Sequence, residues 1–142
     1  MPVVHVYVPE GSLSEPQKKK LFEGLTCAVL RGEGAPDTPK ARAITWVFLH
    51  ETPKGTWAVG GVASSFLRFL VEISLPQGTL NDRRRTRIAA GIGKVLCDVA
   101  GRTLAPEDSL VKIQEIIDGD WSAAGQVFRL RDLAAFVRRP KS

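Results

Sequence analysis

The strongest constraint on the fold is a repeat. The stretch Pro9-Glu10-Gly11-Ser12-Leu13-Ser14-Glu15 returns as Pro76-Gln77-Gly78-Thr79-Leu80-Asn81-Asp82, every position displaced by 67 residues. Ala35-Pro36-Asp37 returns as Ala105-Pro106-Glu107. Glu51, Gly55, Trp57 and Gly61 return as Glu115, Gly119, Trp121 and Gly125 at a constant displacement of 64. So many matches in the same order, at displacements of 64 to 70, indicate a tandem unit. The unit reads strand, helix, strand. The expected chain is therefore one domain of two β-α-β repeats, about residues 2–63 and 69–130, with a short helix after them.

The local signals fit that unit. Val3–Val8 alternates β-branched residues as a strand does, and Pro2 is tolerated at a strand's first position. Ser14 is the expected N-cap of a helix, with Glu15 in its first turn and Pro16 just inside; Leu21, Leu25, Ala28 and Val29 recur at helical spacing as far as about Leu30. Gly32-Glu33-Gly34 reads as its stop, and Ala35–Arg42 as a polar loop. A second strand is expected over about Ala43–Leu49. In the second unit the expected elements are a strand at Phe69–Leu75, a helix from N-cap Asn81 to about Val99, and a strand at Val111–Glu115. Ile88, Ile92, Val95 and Leu96 point inward and Gly101 ends that helix. A last helix covers about Arg131–Arg138, and Arg138-Arg139-Pro140-Lys141 reads as a frayed end.

Two crossovers of one hand place both helices on one face of a four-stranded sheet, an α/β (α+β) architecture. His5 and Tyr7 alternate with Val4, Val6 and Val8, so a moderately polar row faces the other side. A sheet covered on one face usually covers the second by oligomerising.

Composition narrows the function classes. The chain has 142 residues, 44% of them apolar and 25% charged, with no run near the ~18 apolar residues of a membrane span. No secretory leader is expected at its start. Cys27 and Cys97 have no metal-binding or disulfide spacing and read as buried free thiols of a reducing, cytoplasmic compartment. The net charge of +5 is carried partly by Lys18-Lys19-Lys20 and Arg83-Arg84-Arg85 at helix starts. Without interleaved aromatic residues these runs read as solvated helix faces and not as a nucleic-acid site. A phosphate-binding glycine loop and a His-Glu-x-x-His helix are both missing, so no metal or nucleotide cofactor is expected.

Pro2 follows the initiator Met directly. Removal of Met1 would expose a secondary amine at the end of a buried sheet. An α-amino group has an ordinary pKa of about 7.7–8.0, and burial or a nearby cation lowers it. Such an amine can serve as general base or nucleophile. With Met1 retained, the Pro2 nitrogen is a tertiary amide and can be neither.

The Met-Pro start, the strand, Pro9-Glu10-Gly11 before a capped helix, and the stretch Glu51-Thr52-Pro53-Lys54-Gly55-Thr56-Trp57-Ala58-Val59-Gly60-Gly61 together resemble the tautomerase superfamily. The likeness is to 4-oxalocrotonate tautomerase in a duplicated, single-chain form. Asp118–Phe128 is similar to malonate semialdehyde decarboxylase, and the length to cis-3-chloroacrylic acid dehalogenase. The resemblance covers roughly residues 2–130. It implies a trimer of fused β-α-β protomers and Pro2 as the catalytic residue. It implies that Trp57 lines the site, with Trp121 as its counterpart from the other repeat, and that Gln77 and Thr79 occupy the turn facing it.

The chain departs from the family's pattern where the family binds carboxylates. Ser12 and Trp46 stand where 4-oxalocrotonate tautomerases carry arginines, Leu75–Thr79 has none of the arginines of the decarboxylases and dehalogenases, and Val29 stands where the dehalogenases have a histidine. Arg42 and Arg68 are the candidate replacements. His5 reads as a sheet-face histidine and His50 is unassigned; Glu51 and Glu115, recurring in both units, suggest a structural task such as binding turn amides. The function expected is keto–enol or double-bond isomerisation of a small carbonyl or enol compound by Pro2, in a homo-oligomer without nucleic-acid or membrane partners. The alternatives are proline-dependent decarboxylation, hydration or carbon–carbon bond chemistry, or a non-catalytic ligand-binding member of the superfamily.

Overall fold

The structure is a computed structural model that describes residues 1–139. Its first half runs β1 (Val3–Pro9), α1 (Glu15–Glu33), α2 (Pro39–Ala43), β2 (Trp46–Thr52), β3 (Ala58–Val59) and β4 (Val62–Ala63). The second runs β5 (Phe69–Pro76), α3 (Asp82–Ala100), a 3-10 turn at Pro106–Asp108, β6 (Ser109–Ile116), β7 (Ser122–Ala123), β8 (Gln126–Val127) and α4 (Leu130–Arg138). The main sheet has the order β2-β1-β5-β6. β1 pairs in parallel with β2 and β5 with β6, while β1 and β5 meet antiparallel at the centre, with Val6 opposite Val71.

Strand alternation decides which face is covered. Val4, Val6 and Val8 of β1 and Val71, Ile73 and Leu75 of β5 are buried, and they join Leu21, Leu25 and Val29 of α1 and Ile88, Ile92 and Leu96 of α3 in one core. Both long helices therefore lie on one face. They approach closely because α1 has glycines at the contact: a Cβ at Gly32 would fall 2.3 Å from Ile88 Cγ1, and one at Gly24 2.7 Å from Val95 Cγ1. The caps read from sequence are present. Ser14 Oγ accepts from Gln17 N at 3.3 Å while Ser14 N donates to Gln17 Oε1 at 2.8 Å, and Asn81 Oδ1 accepts from Arg84 N at 2.8 Å. Gly34 and Gly101 take left-handed conformations at the helix ends (φ 74° and 70°).

On the uncovered face, His5 stacks on Phe48 and its Nδ1 lies 2.8 Å from His50 Nε2, while Tyr7 stacks on His50 with centroids 4.5 Å apart. Trp46, Phe48 and Leu110 on this face are 58, 42 and 60% exposed. His50, unassigned from sequence, thus belongs to a stacked row with His5.

Several details differ from the sequence reading. β2 begins at Trp46 and not Ala43, because Thr38 Oγ1 caps Ala41 N at 3.1 Å and Pro39 opens a short helix inside the expected loop. Each half ends in a small hairpin, turning on Gly60-Gly61 (φ 59° and 83°) and on Ala124-Gly125 (φ 49° and 76°). Cys27 and Cys97 are free but half-buried, not fully buried. Glu51 and Glu115 do not bind turn amides. They face Lys18 Nζ at 3.6 Å and Arg85 Nη2 at 3.5 Å, the same strand-to-helix pair in each half. The amide of the Lys54 turn is held by Glu10 Oε1 at 2.8 Å instead. Pro140 and Lys141 of the basic tail lie outside the described residues. Among the described residues no helix is long and apolar enough to cross a membrane.

Candidate active site

The chain's start runs along the end of the sheet into a cleft. Pro2 is buried, and its carbonyl accepts from Trp46 N at 3.1 Å, which fixes it against β2. Met1 lies in a cleft of about 230 Å³ whose other walls come from four places. The end of α1 gives Glu33 and Gly34; the β5–α3 turn gives Gly78 and Thr79; α3 gives Arg84; and α4 gives an apolar side, Leu130, Leu133 and Val137, with Arg138 at its end.

The helix α4 is pinned across both halves. Leu130 N donates to Asp118 Oδ1 at 2.9 Å, Thr38 Oγ1 donates to the Val137 carbonyl at 2.9 Å, and Lys40 Nζ lies 5.5 Å above the Phe136 ring. Leu133 is 5% exposed, so this helix packs down as a wall.

The polar groups of the cleft are few and differ from each other. Arg84 Nη1 donates to the Thr79 carbonyl at 2.6 Å, and its Nη2 would lie 3.1 Å from a Cβ at Gly34; the glycine leaves the guanidinium its room. No carboxylate lies within 4 Å of Arg84 among the described residues, whereas Arg42, Arg68, Arg85, Arg102 and Arg129 are all paired. Thr79 Oγ1 is buried without a hydrogen-bond partner. Glu33 is 6% exposed. Burial pushes its carboxyl above the usual carboxylate range, against the pull of the terminal amine and Arg84. Burial likewise holds the terminal amine below its ordinary value, while the charge of Glu33 opposes this. In this cleft an amine and a carboxyl are both shifted towards their neutral forms, next to an unpaired guanidinium and an apolar wall.

Of the residues expected at the site, the structure brings Thr79 to the cleft beside Met1, while Pro2 is buried next to Met1 and does not itself line the cleft. Gln77 is exposed and outside the lining; its backbone N–H donates to the Ile116 carbonyl at 2.7 Å. Trp57 and Trp121 stand at the feet of the two hairpins, their carbonyls accepting from Ser64 N at 2.8 Å and Phe128 N at 2.9 Å, and neither lines the cleft within one chain. Trp121 Nε1 is buried without a partner. Arg42 is not brought to the cleft: Asp37 at 2.6 Å and Glu23 at 2.9 Å occupy its guanidinium and push its pKa further up. Arg68 is equally committed, its Nε 3.4 Å from Asp108 Oδ1. The cleft arginine is instead Arg84, one of the run read as a solvated face. Glu33 passed unnoticed inside a helix-stop motif, although a carboxyl there, where α3 has Ala100, was a visible asymmetry.

Comparison with known proteins gives the family and the fold. The profile of the family described as Tautomerase enzyme matches residues 2–66, beginning at Pro2. A 2-hydroxymuconate tautomerase of Comamonas testosteroni is 37% identical over 67 residues, which are 47% of this chain and 97% of that protein. The chain belongs to the tautomerase family. A fused 4-OT, solved as a wild-type asymmetric trimer, matches 96% of this chain and 99% of its own with a TM-score of 0.75 and 23% identity, which fixes the fold as that of a fused tautomerase. A second structure, of Pt0534 inactivated by 2-oxo-3-pentynoate, matches 96% of this chain and 99% of its own with a TM-score of 0.74 and 25% identity.

Proposed function

We propose that this tautomerase-family enzyme isomerises a small keto or enol acid, with Pro2, freed by removal of Met1, as the base. The observation that carries the reading is the placing of Met1, beside the buried Pro2, in a cleft that also holds Arg84 without a carboxylate partner. With Met1 removed, a secondary amine would stand at the inner end of that cleft. Burial disfavours an ammonium there, as it does for the Met1 amine that occupies the cleft, and so favours the neutral form. A neutral amine can take a proton from an enol hydroxyl, or from carbon next to a carbonyl, and return it elsewhere on the conjugated system.

Arg84 supports an anionic substrate. A guanidinium with free donors, at a turn whose Thr79 hydroxyl lacks a partner, suits a carboxylate. It supplies the cation that the sequence lacks at the family's usual positions. The apolar side of α4 would receive the rest of the molecule. We also infer a homotrimer, the assembly named for the fused 4-OT structure; the exposed aromatic row of the sheet and the exposed hairpin residue Val62 (70%) are the surfaces it would cover.

The test is ketonisation of phenylenolpyruvate by the protein and by Pro2→Ala, with intact mass verifying both N-termini. Removal of the base is expected to cost about 100-fold or more in kcat with assembly unchanged. Equal rates for the two proteins would refute the proline base.

A further inference from the structure

We propose that Glu33 is a second catalytic residue: its carboxyl gives a proton to the substrate's carbonyl oxygen while Pro2 takes one from the adjacent carbon. This rests on the proline reading above and adds a partner to it. In the keto-to-enol direction the carbon–hydrogen bonding pair becomes the new carbon–carbon π bond. The carbonyl π pair accepts the Glu33 proton. The products are the enol, a protonated Pro2 and an ionised Glu33; the reverse reaction returns both protons. One proton is taken and one given, with no other reactant.

Geometry singles out this side chain. Glu33 is the last residue of α1, is nearly buried and opens into the same cleft as the chain's start. Among the described residues no donor hydrogen-bonds its carboxyl and no cation stands within 4 Å of it. The residue is nearly buried, yet its carboxyl oxygens are not among the fully enclosed unpartnered atoms, so the carboxyl meets the cleft and not the core. The negative end of the α1 dipole also disfavours a carboxylate there, which strengthens the effect of burial. The charged groups facing it are the terminal amine, Arg84 from α3 and Arg138 from α4. They allow the carboxylate to form during turnover, since the newly protonated Pro2 and the two guanidinium groups would stabilise it. The second half has Ala100 at the equivalent place and no free amine, so the pair exists once per chain.

The experiment follows exchange of the phenylpyruvate methylene protons in deuterium oxide across pH, for the Met-processed protein, Glu33→Gln and Glu33→Ala. The wild type should give a bell, with Pro2 neutral and Glu33 protonated in the active form. Glu33→Gln should lose the basic limb and keep one acid limb, and Glu33→Ala should be slower by about 100-fold. A bell retained in Glu33→Gln at a rate within twofold of wild type would overturn the proposal. So would a slower Glu33→Ala whose profile is unchanged and whose melting temperature has dropped, since that is the mark of a structural residue. Loss of exchange in Pro2→Ala together with an unchanged Glu33→Gln would leave the proline base standing and remove only Glu33.

Discussion

At the start of β1 the chain enters a cleft; 67 residues later, at the start of β5, the same place in the fold is filled. The scaffolds match closely: α1 and α3 have both of their ends displaced by that one interval. The residues do not. Met1 becomes Arg68, Pro2 becomes Phe69 and Glu33 becomes Ala100, while the turn and helix residues Thr79 and Arg84 correspond to Ser12 and Gln17. At the second place Arg68 and Arg102 converge on Asp108, with Arg102 Nη1 3.0 Å from Asp108 Oδ2. Both guanidinium groups lie over the Phe66 ring, at 5.2 and 4.7 Å. Gln17 Nε2 donates to the Val99 carbonyl at 2.9 Å, tying two helices where Arg84 would otherwise reach inward. Phe69 is 1% exposed and sits mid-chain, so its nitrogen is an amide. One β-α-β frame thus presents the same place twice: ion pairs to Asp108 fill one, while the other is an open cleft. The helix α4 occurs only at the open one.

Perturbing each end should therefore give a different kind of defect. The largest stability loss is expected at the closed end. Asp108 is 8% exposed, and Asp108→Ala leaves two arginines without their shared partner. Breaking such a pair should cost about 3 kcal/mol in chemical denaturation while kcat of the folded fraction stays unchanged. Leu133→Ala, beneath α4, should cost about 2 kcal/mol and also raise KM, because it removes part of the cleft wall. Arg84→Met should change stability little and raise KM for a carboxylate substrate about tenfold, the equivalent of about 1.5 kcal/mol for a charge-assisted hydrogen bond.

The smallest effect is a pH dependence. Glu33 has its pKa raised on folding above the ordinary 4.5, so the folded state holds an extra proton between that value and its own raised pKa. Stability is then highest at low pH and falls as pH rises through the folded pKa. Glu33→Gln has no such group. It should melt higher than wild type at pH 7, with the gain vanishing towards pH 4.5. A gain that grew towards low pH would show that the carboxylate is stabilised in the fold.

The sequence carried the frame better than the site. Alternation in β1, the Ser14 and Asn81 caps and the paired glycine stops are local signals, and each element formed where its signal lay. Arg84 shows why site geometry was harder. It belongs to a basic triplet, and on an amphipathic helix one residue in three turns inward; which one depends on the Gly34 and Thr79 backbone beside it. Glu33 was hidden by its setting, since Gly-Glu-Gly at a helix end is ordinary stop chemistry until the chain's start is packed against it. The position of α4 depends on partners 96 and 99 residues away, Lys40 for Phe136 and Thr38 for Val137, which no window of sequence reveals. The short helix α2 was missed for a related reason, being a Thr-capped turn in a polar stretch.

Covalent labelling by 2-oxo-3-pentynoate, which inactivates the structural relative Pt0534, tests the central claim most directly. A neutral secondary amine adds to the conjugated alkyne, forming a nitrogen–carbon bond as a proton moves to the neighbouring carbon. The account predicts one adduct per chain, on the peptide that begins with Pro2, with inactivation in step with labelling and slowed by a competing carboxylic acid. A chain that resists the reagent with Met1 already removed, or an adduct on any other residue, would contradict it.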